Sequence, residues 1–379
     1  MSTQKVSDAM IADMAASKLS GALPALDGSA LTGLPDSVTK NANDPAIDTN
    51  PSGGLGTIWL NTTSGEMFIL TDATAGENVW TNIGAGTGDV QPWLAFRATI
   101  AGYHTGGIPN TTTIDKYSFT TDSNATTHGD MTVAREGHCG QSSETHGYSS
   151  GGEKPSAPHA INVIDKFAFA GSGVTATDVG DITVGRSARS GQTSPTHGYA
   201  TGGEGPSNVI DKFPFASDTN STDAGDLTVG RYYTSGQSSE THGYTSGGHS
   251  PPNSDVIDKF TFAADNDATD VGNLVSARGL ASGQSSETHG YVSGGYLTSS
   301  AIDKFTFASD ANATSVGTLG AGGQSTGGSS STTHGYEAGG YLPASNHNTI
   351  EKFSFSTDGN ATDVGDLTGA RRYGAGNQN

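Results

Sequence analysis

The sequence predicts an all-β fold: a six-bladed β-propeller closed by its C-terminal strand, preceded by a small β module and an extended N-terminal attachment segment. Three observations carry this expectation. The string GYxxGG recurs at Gly102, Gly147, Gly198, Gly243, Gly290 and Gly335, at intervals of 45, 51, 45, 47 and 45 residues. Each copy holds four short strand-like runs separated by turn residues, and four strands in a repeat of about 40–50 residues is the pattern of a propeller blade. The chain stops at Gly376-Asn377-Gln378-Asn379, which aligns with the first strand of a copy, while the first copy lacks that strand.

Along the chain, residues 1–50 are the expected attachment segment, with a short helix at 6–18. Leu19, Leu23, Leu26, Leu31 and Leu34 then punctuate a run of small residues. Such a run buries too little surface alone and needs partner chains or a larger body. Residues 51–90 hold the β module and linker. The stretch 56–84 reads as three strands with a Ser-Gly hairpin at 64–65 and Trp59 and Trp80 as its core. Residues 84–93 lead into the propeller, assigned to 91–379.

In the fourth copy the strands are expected at Tyr232 to Ser239, Tyr244 to Gly248, Ile257 to Phe262 and Ala268 to Leu274. The third strand carries two aromatics two positions apart, which share a strand face. These pairs are Tyr117/Phe119, Phe167/Phe169, Phe213/Phe215, Phe260/Phe262, Phe305/Phe307 and Phe353/Phe355. They use 11 of the 13 phenylalanines, so the core is expected there, each ring contributing roughly 1.5–3 kcal/mol on burial. The tyrosines of the second strand (Tyr103, Tyr148, Tyr199, Tyr244, Tyr291, Tyr336) should join them, and the paired glycines point to positive φ or close backbone approach.

The di-glycine ending the second strand, the aromatic third strand and the Arg before the first strand resemble the kelch family of β-propellers. The fourth strand departs from that pattern: Val179, Ala224, Val271, Val316 and Val364 stand where kelch repeats usually carry Trp. The resemblance implies architecture and C-terminal closure, but not an activity.

Composition removes several function classes. The charge balance is 18 − 38 = −20, which repels phosphate backbones, so no nucleic-acid partner is expected. No run approaches the about 18 apolar residues of a membrane span, so no membrane insertion is expected. Cys139 is the only cysteine, which rules out an intrachain disulfide framework or a Cys-rich zinc site. The N-terminal residues show no apolar core after a basic stretch, so no secretory signal is expected. No GxSxG, HExxH or phosphate-loop motif occurs, so no catalytic residue, metal or cofactor is assigned. Scattered Asp and Glu leave hydrolytic carboxylate pairs open.

In an antiparallel blade, the loops between second and third strands share one face with the blade-to-blade links. Nearly all length variation falls in those loops: 108–113, 153–163, 204–209, 249–256, 296–301 and 341–349. Variation limited to one face is how a scaffold carries a binding surface, although drift in surface loops gives the same pattern. Tyr296, Leu297, Tyr341, Leu342 and His347 are the candidate binding residues there. Arg135, Arg186, Arg231, Arg278 and Arg371 form a near-ring on that face, broken at Gly323. They are read either as an anion-binding cluster or as pins paired with Asp181, Asp226 and Asp366 of their blades. His146, His197, His242, His289 and His334, in Thr-His-Gly turns on the opposite face, are read as turn residues bonding local backbone. The Asp-x-Asn-x-Thr stretches (Asp218/Asn220, Asp310/Asn312, Asp358/Asn360) are read as Asx-type turns.

KLSGALPALDGSALTGLP at 18–35 resembles segments near the N-termini of bacteriophage tail fibre proteins, and GTIWLNTTSGEMFILTDATAGENVWTNIG is similar to small β modules of phage tail proteins. The resemblance implies a virion protein, assembled in the host cytoplasm and located in the tail. It would dock to other tail proteins through residues 1–50 and bind host-surface glycan or protein through the propeller, as a homo-oligomer, with trimers common in tail fibres. The other readings are a structural adaptor or decoration protein and a polysaccharide depolymerase.

Overall fold

A computed structural model describes residues 38–83, 98–296, 300–342 and 344–379. The expected helix at 6–18, most of the attachment segment, the linker 84–93 and Leu297 lie outside the described residues. The chain divides into two compact units, residues 1–92 and 93–379. Among the described residues they hold seven sheets, six of four strands and one of five, with one sheet in the first unit and six in the second. Among the described residues no helix is long and apolar enough to cross a membrane.

The sheet of the first unit runs Val38–Asn41, Ile58–Asn61, Met67–Asp72, Val79–Asn82, with the first pair parallel and the others antiparallel. Trp59, Phe68, Leu70 and Trp80 form its core, and the two indoles meet edge to face at 5.8 Å. The Ser64-Gly65 turn stands where expected, with Gly65 at φ +76°. The sheet also takes in residues N-terminal of the expected module start at 51. Val38–Asn41 supplies a fourth strand, Trp59 Nε1 donates to Asn43 O, and Asn78 Nδ2 donates to Thr49 O. That strand has almost no apolar content, and its pairing partner is 20 residues on; no periodicity announces it.

In the second unit each copy of the repeat forms one antiparallel sheet, such as Ser235–Ser238, His242–Ser246, Val256–Thr261 and Thr269–Asn273. The first strand starts at Ser235 rather than Tyr232 because Tyr233 adopts a left-handed φ of +55°, outside the extended region of a strand. In the first copy the inner strand is Ala375–Gln378, paired antiparallel with Ala101–Thr105 from Ala375↔Thr105 to Gln378↔Gly102. Val174–Thr175 adds a short parallel strand to its outer edge.

The core forms between sheets. The tyrosine of each second strand stacks on the second aromatic of the next copy's third strand: Tyr103 on Phe169, Tyr148 on Phe215, Tyr199 on Phe262, Tyr244 on Phe307, Tyr291 on Phe355 and Tyr336 on Phe119. The centroids are 4.5–4.9 Å apart. Beyond area burial, such a ring pair adds about 0.5–1.5 kcal/mol. The six inner strands meet through their glycines. A Cβ on Gly191 would lie 2.1 Å from Gly140 O, on Gly236 2.2 Å from Gly191 O, and on Gly283 2.1 Å from Gly236 O. The sequence continues through Gly328 and Gly376, and a Cβ on Gly140 would lie 2.1 Å from Gly376 O. Only glycine permits this approach, which explains the invariant Gly of GQS-like text.

Candidate functional site

The strictly repeated polar residues are structural. The Asp of IDKF is buried and gathers the link that follows the preceding copy's fourth strand. Asp258, for example, accepts from Thr228 N at 3.1 Å and Thr228 Oγ1 at 2.7 Å, and pairs with Arg231 at 3.1 Å. The same hub recurs as Arg186–Asp211 at 2.7 Å, Arg278–Asp303 at 2.7 Å, Arg371–Asp115 at 2.5 Å, and Arg135–Asp165. Burial lowers the guanidiniums of Arg135, Arg231 and Arg371, opposed by the charges of Asp165, Asp258 and Asp115.

 All five arginines are at most 5% exposed. Of the two readings of Arg135, Arg186, Arg231, Arg278 and Arg371, their burial in ion pairs favours pins over an anion-binding cluster. Their partners are not Asp181, Asp226 and Asp366, which sit at strand ends, but the inward Asp of the third strand.

In the sixth copy Gly323 replaces the Arg and Glu351 the Asp. Glu351 Oε1 still gathers the link, accepting from Gly320 N at 2.6 Å and Ala321 N at 3.0 Å. Beside it on the second strand lies Glu337, opposite Glu351 in register and fully buried, which burial pushes up to about 8.

The opposite face is equally structural. Each of the five turn histidines has Nδ1 2.8 Å from the hydroxyl of the preceding Thr, rather than bonded to backbone as expected. The Asx turns reach across to the neighbouring sheet: Asn220 Oδ1 accepts from Asp181 N, and Asp218 accepts from Lys166 at 2.9 Å. Among the described residues no group of His, Cys, Asp and Glu is placed to hold a metal ion.

What varies between copies lies two residues after the Arg. Gly137, Ala188, Tyr233, Leu280, Ser325 and Tyr373 all have φ between 55° and 64°. Their backbones bond one to the next: Ala188 N to Gly137 O (2.8 Å), Tyr233 N to Ala188 O (2.6 Å), Leu280 N to Tyr233 O (3.0 Å), Ser325 N to Leu280 O (2.8 Å), Tyr373 N to Ser325 O (2.7 Å) and Gly137 N to Tyr373 O (2.9 Å). Left-handed backbone costs a non-glycine residue on the order of 1 kcal/mol or more, which these hydrogen bonds offset. The backbone is thus held fixed while the side chain changes freely.

Two of those side chains converge. Tyr233 and Tyr373, 140 residues apart by number (373 − 233), stack with centroids 6.0 Å apart. They wall a cleft of about 270 Å³ with Ile108, the carboxylates Glu136, Glu153 and Glu204, and Ser187. Ser187 Oγ lies 3.0 Å from Glu153 Oε1 and 2.8 Å from Glu204 Oε2, and its one proton serves one of them at a time. Burial raises Glu136, and the charge of Glu153 adds to this against Arg372. Burial likewise raises Tyr233, reinforced by Tyr373 and Glu204. Arg372 lies over the rings of Tyr341 (4.4 Å) and Tyr373 (5.4 Å). Flat aromatic faces with hydroxyl- and amine-accepting carboxylates suit a polar, partly apolar ligand such as a sugar.

Of the loop candidates, Tyr296 is exposed at 61%, whereas Tyr341, Leu342 and His347 are half-buried. None of the four lines the cleft; Tyr341 connects to it only through Arg372. The cleft residues were missed because they follow the repeat's Arg, in a segment expected to be strand. Aligning the residue two after each Arg, where two of six copies carry Tyr, would have singled out Tyr233 and Tyr373. No family model matches the chain, and a search of curated proteins finds no match.

Proposed function

We propose that the chain is a bacteriophage virion protein, a tail fibre or tail-tip component, and that residues 93–379 are a six-bladed kelch-like β-propeller closed by the C-terminal strand. Its loop-and-link face binds a host-surface glycan or protein. The closed-ring reading is supported by the pairing of Ala375–Gln378 with Ala101–Thr105 and by the cyclic stacking that returns from Tyr336 to Phe119. The virion reading is supported by the resemblance of residues 18–35 and 56–84 to tail proteins. The binding reading rests on one observation: the cleft of Tyr233, Tyr373 and three carboxylates lies on the face whose loops vary, above a scaffold whose repeated residues are buried.

The test is adsorption. Purified protein should compete with phage for host cells, and Tyr233→Ala/Tyr373→Ala should lose that competition while His242→Ala, on the opposite face, keeps it. Equal competition by both variants would remove the cleft from the receptor site. A depolymerase reading draws on Glu136, whose carboxyl is raised by burial, lying with Glu153 in one cleft, since glycosidases work with two carboxyl groups flanking the bond they cleave. Release of fragments from host glycan by the wild type, abolished in Glu136→Gln, would favour it over pure binding.

A further inference from the structure

Seven arginines lie among the described residues, and Arg189 differs from the five of the repeat. It occupies the position three after the Arg, where the other copies carry His138, Thr234, Ala281, Thr326 and Gly374. It is 5% exposed, yet no carboxylate lies within ion-pair distance of it among the described residues. Nη2 donates to Ser150 O at 2.8 Å and Nη1 to Arg186 O, while Nε has no partner. Asp211, whose charge acts on Arg189, already pairs with Arg186 at 2.7 Å. Burial pushes the guanidinium down to about 10, with the Cys139 thiol acting upward and Arg186 downward, so it stays charged at neutral pH. A buried charge without a counter-charge costs several kcal/mol.

Arg189 borders two adjoining cavities on the inner strands, of about 100 and 70 Å³. No Asp or Glu lines either one, although the chain carries 38 acidic residues. Most lining hydroxyls are committed: Ser235 Oγ donates to Ala281 O, and Thr234 Oγ1 to Ser190 Oγ. Ser325 Oγ, 6% exposed and lining the smaller cavity, has no partner. His138 also lines both cavities; burial and the charges of Arg135 and Arg189 hold it well below its ordinary value, so it adds no positive charge. What remains is one uncompensated guanidinium and a free hydroxyl in a space the size of a small ion.

We propose that this axial cavity binds a small inorganic anion, of the class from halide to phosphate, held by Arg189 Nε with Ser325 Oγ as a second donor. The anion supplies the counter-charge that the fold does not. This assignment is independent of what the outer cleft binds.

The test uses the full chain. Crystals soaked in bromide should show an anomalous peak beside Arg189 Nε, and chloride-35 NMR should show excess line broadening that phosphate competes away. Arg189→Met should lose that excess broadening, and Arg189→Lys should retain part of it. Bromide only on the outer surface, or equal broadening in wild type and Arg189→Met, would overturn the proposal. If Arg189→Met does not fold, the bromide map of the wild type decides alone.

Discussion

Five sheets of the repeat and the sixth solve one problem with different chemistry. In five, a buried Asp holds the incoming link and an Arg neutralises it: Asp115, Asp165, Asp211, Asp258 and Asp303. In the sixth, Gly323 removes the cation and Glu351 reaches the link amides alone, with the buried Glu337 beside it. The difference separates two roles that sequence repetition merges. The carboxylate is what the link needs; the guanidinium is what makes burying that carboxylate tolerable. Where the Arg is lost, the acid is pushed upward by desolvation instead.

The strongest way to break this comparison is to delete residues 371–379, which strips the first sheet of both Arg371 and its inner strand. We expect a loss well above the cost of a single pair, read as a collapse of the urea midpoint by circular dichroism; an unchanged midpoint would mean that the strand holds nothing together. Next in size is Arg231→Met, which leaves Asp258 buried and unpaired. It should cost about 3–5 kcal/mol, and adding Asp258→Asn should recover part of this in the same urea experiment. If Arg231→Met costs less than about 1 kcal/mol, the pair is no different from an exposed one.

The third prediction sharpens the sixth sheet. Glu337 rises from 4.5 to about 8 on folding. Below pH 4.5 both folded and unfolded chains hold the proton, so its contribution to stability is fully present. As the pH climbs towards 8 the unfolded chain ionises while the folded one resists, and that contribution is lost; Glu351, also raised by burial, acts in the same direction. Glu337→Gln should flatten this decline by on the order of a few kcal/mol, measured as unfolding free energy between pH 5 and pH 8. Parallel pH profiles for variant and wild type would show that Glu337 is not the group responsible.

Much of the fold was legible in the sequence. The third-strand aromatics, the second-strand tyrosines and the terminal pairing strand were all read from spacing, because a strand's period of two and a repeat's register are local properties. The module's first strand was not legible, since Val38–Asn41 is recognised by its partner and not by its own composition. Nor was the fate of the arginines. A recurring Arg on a link reads equally as a surface cation or as a buried pin, and only the inward Asp of the third strand decides which.

The amino-acid order by itself determined the repeat, its four strands, the aromatic core and the acidic, cysteine-poor character of the chain. Tertiary structure alone decided that Tyr233 meets Tyr373, that the variable residues rest on a ring of left-handed backbone, and that Arg189 is buried without a carboxylate. The physical reason is distance along the chain. Contacts within a copy follow from periodicity, whereas a site built from several copies exists only once their links are brought together, and no single copy carries its pattern.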